Sequence, residues 1–371
     1  MDFIDLSTQQ QKIRSQLDLA IGKVLDHGRY IMGPEVFALE EQLAEYVGAR
    51  NCISVSSGTD SLLIAMMALG IGPGDEVISV PYTWISTAET IALLGAKPVF
   101  VDICAKTLNL DETLLEAAIT EHTKAIMPVG IYGQVPNMSR ITEIAAKHSL
   151  SVIEDAAQSF GATHHGKKSC GLTLVGSTSF FPSKPLGGYG DGGALFTDDD
   201  QLAERFRYIR LHGQESKNFH SLVGINGRMD TIQAAIVLEK LKLFDNELLQ
   251  RQNVADNYKE CLASVPQIRT LSVSDFNTCV WAQYPIFVKR RDDLLAFLKT
   301  KEIPTVAYYP LPLHLQPVFS DLGHVRGDFP VAEQCSDNVL CLPMDPYKSH
   351  SQIRHVCESI KQFYRDKKYG T

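Results

Sequence analysis

The chain turns from strand to helix at residues 52–60, which read Cys52-Ile53-Ser54-Val55-Ser56-Ser57-Gly58-Thr59-Asp60. The apolar residues before the turn predict a short strand, and those after it predict a helix over 61–69. Free N–H groups at a helix start attract an anion, and Gly58 would let a phosphate approach the backbone closely. An ordinary N-cap with a tight turn explains the same residues, and for this stretch taken alone it is the commoner explanation.

Strand and helix patterns alternate on both sides of this turn. Helices are predicted over 9–25, from Pro34, and over 84–94, 112–119 and 139–147; strands are predicted over 76–80, 98–102, 125–129 and 151–154. Such alternation is typical of the α/β class, with a mostly parallel central sheet that has helices on both faces.

The pattern changes after a helix predicted over 230–244. The rest of the chain mixes strands with helices and predicts a smaller C-terminal α+β domain; the strands are expected at 282–288 and 304–308, and the helices at 292–300 and 350–364. We therefore predict a large domain over residues 1–248 and a small one over 249–371. Lys367 and Lys368 are expected in an ordinary solvated terminus.

Composition excludes several classes of protein. A net charge of −8 argues against nucleic acid as a partner, because a phosphate backbone calls for a basic face. No apolar run approaches the roughly 20 residues of a membrane span, and the N-terminus lacks the pattern of a signal peptide. The eight cysteines contain no C-x-x-C pair, which favours reduced thiols in the cytoplasm over disulfides or a zinc site.

An acidic residue stands where the apolar strand Val152-Ile153-Glu154 ends, at Asp155. Ligands of parallel α/β sheets bind beyond the carboxyl ends of the strands. Asp155 is therefore placed to meet a cation, although a solvated strand end or a helix cap is the commoner role of a single aspartate.

A lone lysine follows an apolar strand and precedes glycines in the run Ser179-Phe180-Phe181-Pro182-Ser183-Lys184-Pro185-Leu186-Gly187-Gly188. Lysine becomes a neutral amine nucleophile when it is desolvated or lies near other charges. Most lysines are solvated surface residues, but Phe180, Phe181 and Pro182 are unusual in a surface loop. The overlapping Gly188-x-Gly190-x-x-Gly193 matches a dinucleotide fingerprint, yet it leads into a predicted strand over 194–197, where the fingerprint requires a helix.

Three further features carry weaker signals. His164-His165 could bind a metal, but no third ligand has suitable spacing, so we predict an exposed loop and no metal site. The run Asp198-Asp199-Asp200 is typical of a turn or a helix start. Glu40-Glu41 is expected on a solvated helix face.

Taken together, the chain resembles the DegT/DnrJ/EryC1/StrS family of sugar aminotransferases, which have the fold of type I pyridoxal-phosphate (PLP) enzymes. The resemblance extends over nearly the whole chain and depends on blocks in the correct order rather than on any one of them. These blocks are Gly33 to Glu40, Ser57 to Asp60, Gly72 to Ile78, Glu154 to Gln158, Ser179 to Lys184 with its glycines, and Asn226 to Ala235.

The resemblance implies a PLP site with a role for each matching residue. Lys184 would be the Schiff-base lysine and Asp155 the partner of the pyridinium nitrogen, so that these two are the expected catalytic residues. Gln158 is expected at the ring hydroxyl, and Trp84 is expected to stack on the ring. The phosphate contacts implied by the family are Ser179, the amides of Gly58 and Thr59, and Asn226 of the neighbouring subunit, which would make a homodimer with the site at the subunit interface.

The resemblance also narrows the reaction. Gln158, where many 4-aminotransferases have histidine, and the run Asn226-Gly227-Arg228-Met229-Asp230 are similar to the 3-aminotransferases. The run 180–191 is most similar to enzymes that transfer an amino group from L-glutamate to UDP-2-acetamido-2-deoxy-3-oxo-glucuronate, for bacterial surface polysaccharides such as O-antigen. Arg228 could then bind the sugar carboxylate, with Tyr308 and Tyr309 as further substrate contacts; relatives often have histidine at the position of Tyr308.

Other functions compete with this one. A neutral nucleotide-linked 3-keto or 4-keto sugar is the alternative substrate. A PLP-dependent sugar dehydratase of the same fold has histidine at the position of Lys184, and a non-catalytic regulator of this fold would not need the lysine. A nicotinamide-dependent sugar oxidoreductase is the alternative from another class, suggested by the match at Gly188 to Gly193.

Overall fold

The computed structural model describes residues 1–366, so the predicted solvated terminus at Lys367 and Lys368 lies outside the described part. Its strands are β1 Asn51–Val55, β2 Glu76–Ser79, β3 Lys97–Phe100, β4 Thr123–Ile126, β5 Ser151–Asp155, β6 Thr163–His164, β7 Lys167–Lys168, β8 Val175–Ser179, β9 Gly193–Thr197, β10 Gln214–Ser216, β11 Phe219–His220, β12 Arg269–Thr270, β13 Tyr284–Phe287 and β14 Val339–Leu342. Its α-helices are α1 Leu6–Lys12, α2 Arg14–His27, α3 Pro34–Val47, α4 Gly58–Ala68, α5 Ser86–Leu93, α6 Glu112–Leu115, α7 Met138–Lys147, α8 Asp200–Ile209, α9 Thr231–Leu262, α10 Arg291–Thr300, α11 Pro330–Asn338 and α12 His350–Arg365.

A seven-stranded sheet forms the centre of the molecule, in the order β1-β9-β8-β5-β4-β2-β3. Parallel pairing joins β3, β2, β4, β5 and β8, whereas β9 runs antiparallel to both of its neighbours, β8 and β1. Six of the seven strands therefore share one direction, and their carboxyl ends meet at the same edge. The predicted α/β class with a mostly parallel central sheet is confirmed.

Side chains from successive strand residues pack into two different cores. Ile53 and Leu195 lie in a core with residues of α4 and α8, whereas their neighbours Cys52 and Phe196 lie in a core with residues of α3 and α9. Because consecutive residues of a strand point to opposite faces, these two cores cover the two faces of the sheet. The predicted helices on both faces are thus present.

The C-terminal part has its own antiparallel sheet of three strands, in the order β12-β13-β14, with α10 and α12 packed nearby. The prediction of a strand over 304–308 was wrong, since only one bridge forms there, between Val306 and Cys341. The helix predicted over 230–244 extends to Leu262 as part of α9, so it passes residue 248 without a break. The division into domains 1–248 and 249–371 stays a prediction.

The expectation of a solvated Glu40 was wrong. Glu40 is buried, its carboxylate accepts a hydrogen bond of 2.9 Å from the backbone N–H of Ser54, and it forms an ion pair with the buried Arg210. The helical pattern explains the position, because Glu40 shares one face of α3 with the buried Val36 and Leu43.

His164 was also predicted in an exposed loop, but it is buried, in a hairpin formed by β6 and β7. Its Nδ1 lies 2.8 Å from the side-chain Oδ1 of Asn277, and its Nε2 lies 2.7 Å from the Ser139 hydroxyl. The acidic run behaves as predicted, because Asp199 caps the start of α8. Within residues 1–366, no helix is both long and apolar enough to span a bilayer.

Candidate active site

A cavity of about 390 Å³ opens at the edge of the sheet where the parallel strands end. Gly58 follows β1, Trp84 follows β2, Asp155 ends β5 and Ser179 ends β8, so four strands deliver residues to one place. The predicted residues that line it are Gly58, Thr59, Trp84, Asp155, Gln158, Ser179, Lys184, Tyr308 and Tyr309. Asp155 and Lys184, which are 29 positions apart in sequence, thus face the same space.

Asp155 is a buried carboxylate with two hydrogen-bond donors. Its Oδ2 accepts from the Thr87 hydroxyl at 2.9 Å, and its Oδ1 accepts from the Ala157 N–H at 3.2 Å. Burial raises the pKa of Asp155, while these two donors and the positive charge of Lys184 oppose the rise. The neighbouring Glu154 points to the opposite face, where Ser169 donates to it at 2.6 Å, and burial raises its pKa to about 7.

Lys184 lies in a compact turn after β8. Its N–H donates to the Phe181 carbonyl at 2.8 Å, and the Gly188 N–H donates to the Phe180 carbonyl at 2.7 Å. A side chain at Gly187 would place its first carbon 2.5 Å from the Pro182 carbonyl oxygen, so the turn requires glycine there. Burial lowers the pKa of the Lys184 amine, and the attraction of Asp155 partly opposes this. The turn therefore presents an amine that loses its proton more readily than a solvated lysine.

The start of α4 borders the cavity with backbone N–H groups, which favour an anion. The Ser57 hydroxyl accepts a hydrogen bond from the Asp60 N–H at 3.0 Å, which caps the helix as the commoner explanation foresaw. The backbone N–H groups of Gly58 and Thr59 lie in the first turn of α4, at the positive end of the helix dipole. A side chain on Gly58 would place its first carbon 2.5 Å from Cβ of Ser179, so the close approach of β8 leaves room only for hydrogen.

Aromatic and amide groups form the opposite wall. The Gln158 carbonyl oxygen accepts from the Tyr132 N–H at 2.9 Å, and its NH₂ donates to the Tyr309 hydroxyl at 3.2 Å. The Trp84 ring lies 6.3 Å from that of Tyr309, centroid to centroid, and is 57 % exposed. Phe181 is also half exposed, contrary to the expectation that it would avoid the surface. A flat ligand therefore finds an aromatic surface at the mouth of the cavity.

Asn226 and Arg228 do not line this cavity. They lie in a neighbouring cavity of about 540 Å³, and the two cavities share Ser57 and Asp191 as a common wall. The Nε atom of Arg228 is buried without a hydrogen-bond partner within the described residues. Asp60 and Asp230 line the same cavity, and within residues 1–366 neither of them forms an ion pair with Arg228.

Several residues of the cavity were missed by sequence reasoning. Thr83, Thr87, Ser86 and Gln283 line it, and Thr87 contacts Asp155 directly. The run Tyr82-Thr83-Trp84-Ile85-Ser86-Thr87 was noticed only for its tryptophan, although its hydroxyls follow a buried strand at the same sheet edge. Gln283 is the residue just before β13, far away in sequence, and no local pattern marks it.

The cavity combines an amine of lowered pKa, a buried carboxylate and a helix N-terminus that favours an anion. Such a set can bind a flat cationic ring that carries a phosphate, with the carboxylate stabilising the positive charge. It can also move a proton through Lys184, whose amine is both a nucleophile and a base.

Comparison with known proteins agrees with this chemistry. The sequence profile of the DegT/DnrJ/EryC1/StrS aminotransferase family matches residues 11–361. The UDP-2-acetamido-2-deoxy-3-oxo-D-glucuronate aminotransferase of Pseudomonas aeruginosa is 51 % identical over 360 residues, which cover 97 % of this chain and 99 % of that protein.

Two solved structures have closely similar architectures. A DegT DnrJ EryC1 StrS aminotransferase from Brucella abortus is 41 % identical with a TM-score of 0.95, over 99 % of this chain and 100 % of that one. NtdA from Bacillus subtilis, whose crystal structure contains bound cofactor PMP, is 32 % identical with a TM-score of 0.91, over 98 % of this chain and 83 % of that one. The chain belongs to the DegT/DnrJ/EryC1/StrS aminotransferase family.

Proposed function

We propose that the chain is a PLP-dependent aminotransferase that moves an amino group from L-glutamate to C3 of a UDP-linked 3-keto sugar. The sugar is UDP-2-acetamido-2-deoxy-3-oxo-D-glucuronate, used for bacterial surface polysaccharides such as O-antigen. One observation carries the proposal: the Lys184 amine and the Asp155 carboxylate face one cavity of about 390 Å³ beside a helix N-terminus. The 51 % identity to the Pseudomonas aeruginosa enzyme supports the choice of sugar.

The residues of the cavity fit PLP. The close contact of Gly58 with Ser179 forms a narrow cradle of N–H and hydroxyl donors for the phosphate. In this proposal Asp155 would pair with the ring nitrogen, Gln158 would contact the ring hydroxyl, and Trp84 would stack on the ring face. Lys184 supplies the amine for covalent attachment.

When bound, PLP supplies an electron sink that stabilises negative charge on the carbon next to the transferred nitrogen. The chain contributes orientation and proton transfer. Asp155 would stabilise a protonated ring nitrogen through its negative charge, and a protonated ring withdraws electrons more strongly. Lys184 would hold the cofactor through its amine, and the same amine, when released, would accept the proton from the substrate carbon and later donate it.

We further propose that the active unit is a homodimer with its active sites at the subunit interface. Support comes from the second cavity, which Asn226 and Arg228 line and which adjoins the first along Ser57 and Asp191. In a homodimer, Asn226 would reach the phosphate and Arg228 the sugar of the other site. The cytoplasm is the proposed compartment, and the eight free cysteines support it.

The proposal is tested by incubating the PMP form of the protein with a panel of UDP- and dTDP-linked 3- and 4-keto sugars. Product from the UDP-linked 3-keto uronate in preference to the neutral sugars supports it. Preference for a neutral 3-keto or 4-keto sugar would replace the substrate but keep the reaction.

A second experiment tests the cofactor. Borohydride reduction in the presence of PLP should attach the cofactor permanently to Lys184. Absence of this attachment together with binding of nicotinamide would favour the oxidoreductase.

Arg228→Lys is expected to reduce kcat/KM for the uronate by about tenfold or more, because lysine cannot form the bidentate pair with a carboxylate. The loss for a neutral 3-keto sugar should be much smaller. Both kcat/KM values are measured in the same preparation, with Arg207→Lys, which lies outside both cavities, as the control. Equal losses on the two sugars would remove Arg228 from carboxylate recognition.

Gly58→Ala is expected to destabilise the protein by about 1–3 kcal/mol and to weaken PLP binding, because its methyl carbon would lie 2.5 Å from Cβ of Ser179. Urea unfolding and fluorescence titration with PLP measure the two effects. Gly22→Ala in α2 is the matched control, since nothing lies within 4 Å of its added carbon. It should be neutral or stabilising by about 0.5–1 kcal/mol; equal behaviour of the two variants would contradict the narrow cradle.

A further inference from the structure

Two buried threonine hydroxyls form a chain that ends on Asp155. The hydroxyl oxygens of Thr83 and Thr87 are 3.1 Å apart, and that of Thr87 lies 2.9 Å from Oδ2 of Asp155. Both threonines are almost fully buried, with 2 % and 1 % of their surface exposed. Solvent therefore cannot replace either contact at low cost.

The direction of each hydrogen bond follows from proton counting. An ionised carboxylate only accepts, so the single hydroxyl proton of Thr87 goes to Asp155. Thr87 must then accept from Thr83, which donates. The Ala157 N–H donates to the other oxygen of Asp155 at 3.2 Å, so each oxygen accepts one hydrogen bond from the protein. Each oxygen also keeps a lone pair with which it can accept from a ligand in the cavity.

Besides the hydrogen bonds from the two threonines, few charged groups influence the ionisation of Asp155. Lys184 attracts the carboxylate, and the charge of Asp155 raises the pKa of the acidic neighbour Glu154. Asp155 also raises the pKa values of Tyr309 and Cys170, which keeps these two groups neutral. Burial raises the pKa of Asp155 most, and the bond from Thr87 is the largest opposing influence. The threonine chain is thus the main support of the ionised form.

We propose that Thr83 and Thr87 are positioning residues that keep Asp155 ionised and oriented toward the cavity. The benefit to catalysis rests on the proposed function, because it assumes a cationic ring at Asp155. The local sequence explains the geometry. Thr87 lies in the first turn of α5, and Thr83, four residues earlier, precedes the helix on the same side.

Infrared titration of the carboxyl group tests the proposal on the full chain without cofactor. The protonated carboxyl band of Asp155 is isolated by subtracting the spectrum of Asp155→Asn at each pH. Thr87→Val should move the titration midpoint upward by about one pH unit, the effect of one lost hydrogen bond to a charged group. Thr83→Val should move it in the same direction by less, and Thr87→Ser should restore the wild-type midpoint.

An unchanged midpoint in Thr87→Val, or equal shifts in Thr87→Val and Thr87→Ser, would overturn the role of the hydroxyl. A purely structural role predicts neither the shift nor its rescue by serine. The holoenzyme supplies a second readout: the acidic limb of its kcat–pH profile should move upward by a similar amount in Thr87→Val. If the protein binds no PLP, the proposed function fails while the infrared result still decides the role of the threonines.

Discussion

Lys184→Ala is expected to abolish the half-reaction with L-glutamate. The variant loses both the amine that anchors the cofactor and the base that moves the proton. Loss of the proton transfer alone costs about 10²- to 10⁴-fold in rate. The measurement is a single-turnover assay in which the PLP-loaded variant and L-glutamate are mixed and PMP formation is followed by absorbance.

A second lysine provides the matched control. Lys168 is partly buried, and burial lowers its pKa as it does that of Lys184, but it lies over the Tyr46 ring outside the cavity. Lys168→Ala should therefore keep full turnover. Lys184→Arg tests charge alone, since arginine stays protonated and can neither attach the cofactor nor accept a proton. Retained turnover in Lys184→Ala would remove the lysine from the mechanism and favour the non-catalytic regulator.

The sequence predicted the site residues that lie at the carboxyl ends of the sheet strands. Strand alternation places Asp155 and Ser179 at the carboxyl ends of β5 and β8, which are parallel neighbours. Gly58 follows β1, which runs in the same direction as β8 on the other side of β9. Lys184 was recognisable because its apolar and glycine neighbours do not suit a surface loop. Its turn indeed packs Phe180 into the core and requires Gly187.

Other features depend on packing that no local pattern encodes. Glu40 stands in an acidic pair, and only its place on the apolar face of α3 together with the distant Arg210 explains its burial. Helix α9 extends to Leu262 because its later turns pack against α12, far along the chain. Asn226 and Arg228 match the sequence pattern of the family, but the neighbouring cavity that they line is formed by segments far apart in sequence. Local sequence therefore does not predict it.

Asp155→Ala is expected to lower kcat by about 10- to 1000-fold, because a nearby opposite charge shifts the pKa of a group by about 1–3 units. Without the carboxylate, the ring nitrogen of the cofactor is protonated less often at neutral pH. The loss in PLP affinity should be far smaller, since the phosphate contacts and Lys184 remain. The values of kcat and the PLP dissociation constant are measured between pH 5 and pH 8.

The pH dependence separates electrostatics from packing. As the pH falls, the ring nitrogen is protonated even without its partner, so the rate deficit of Asp155→Ala should shrink. Asp155→Asn keeps the shape and can still accept from Thr87, yet lacks the charge. It should therefore lose rate as Asp155→Ala does, whereas near-normal turnover in Asp155→Asn would show that shape, and not charge, is what the site requires.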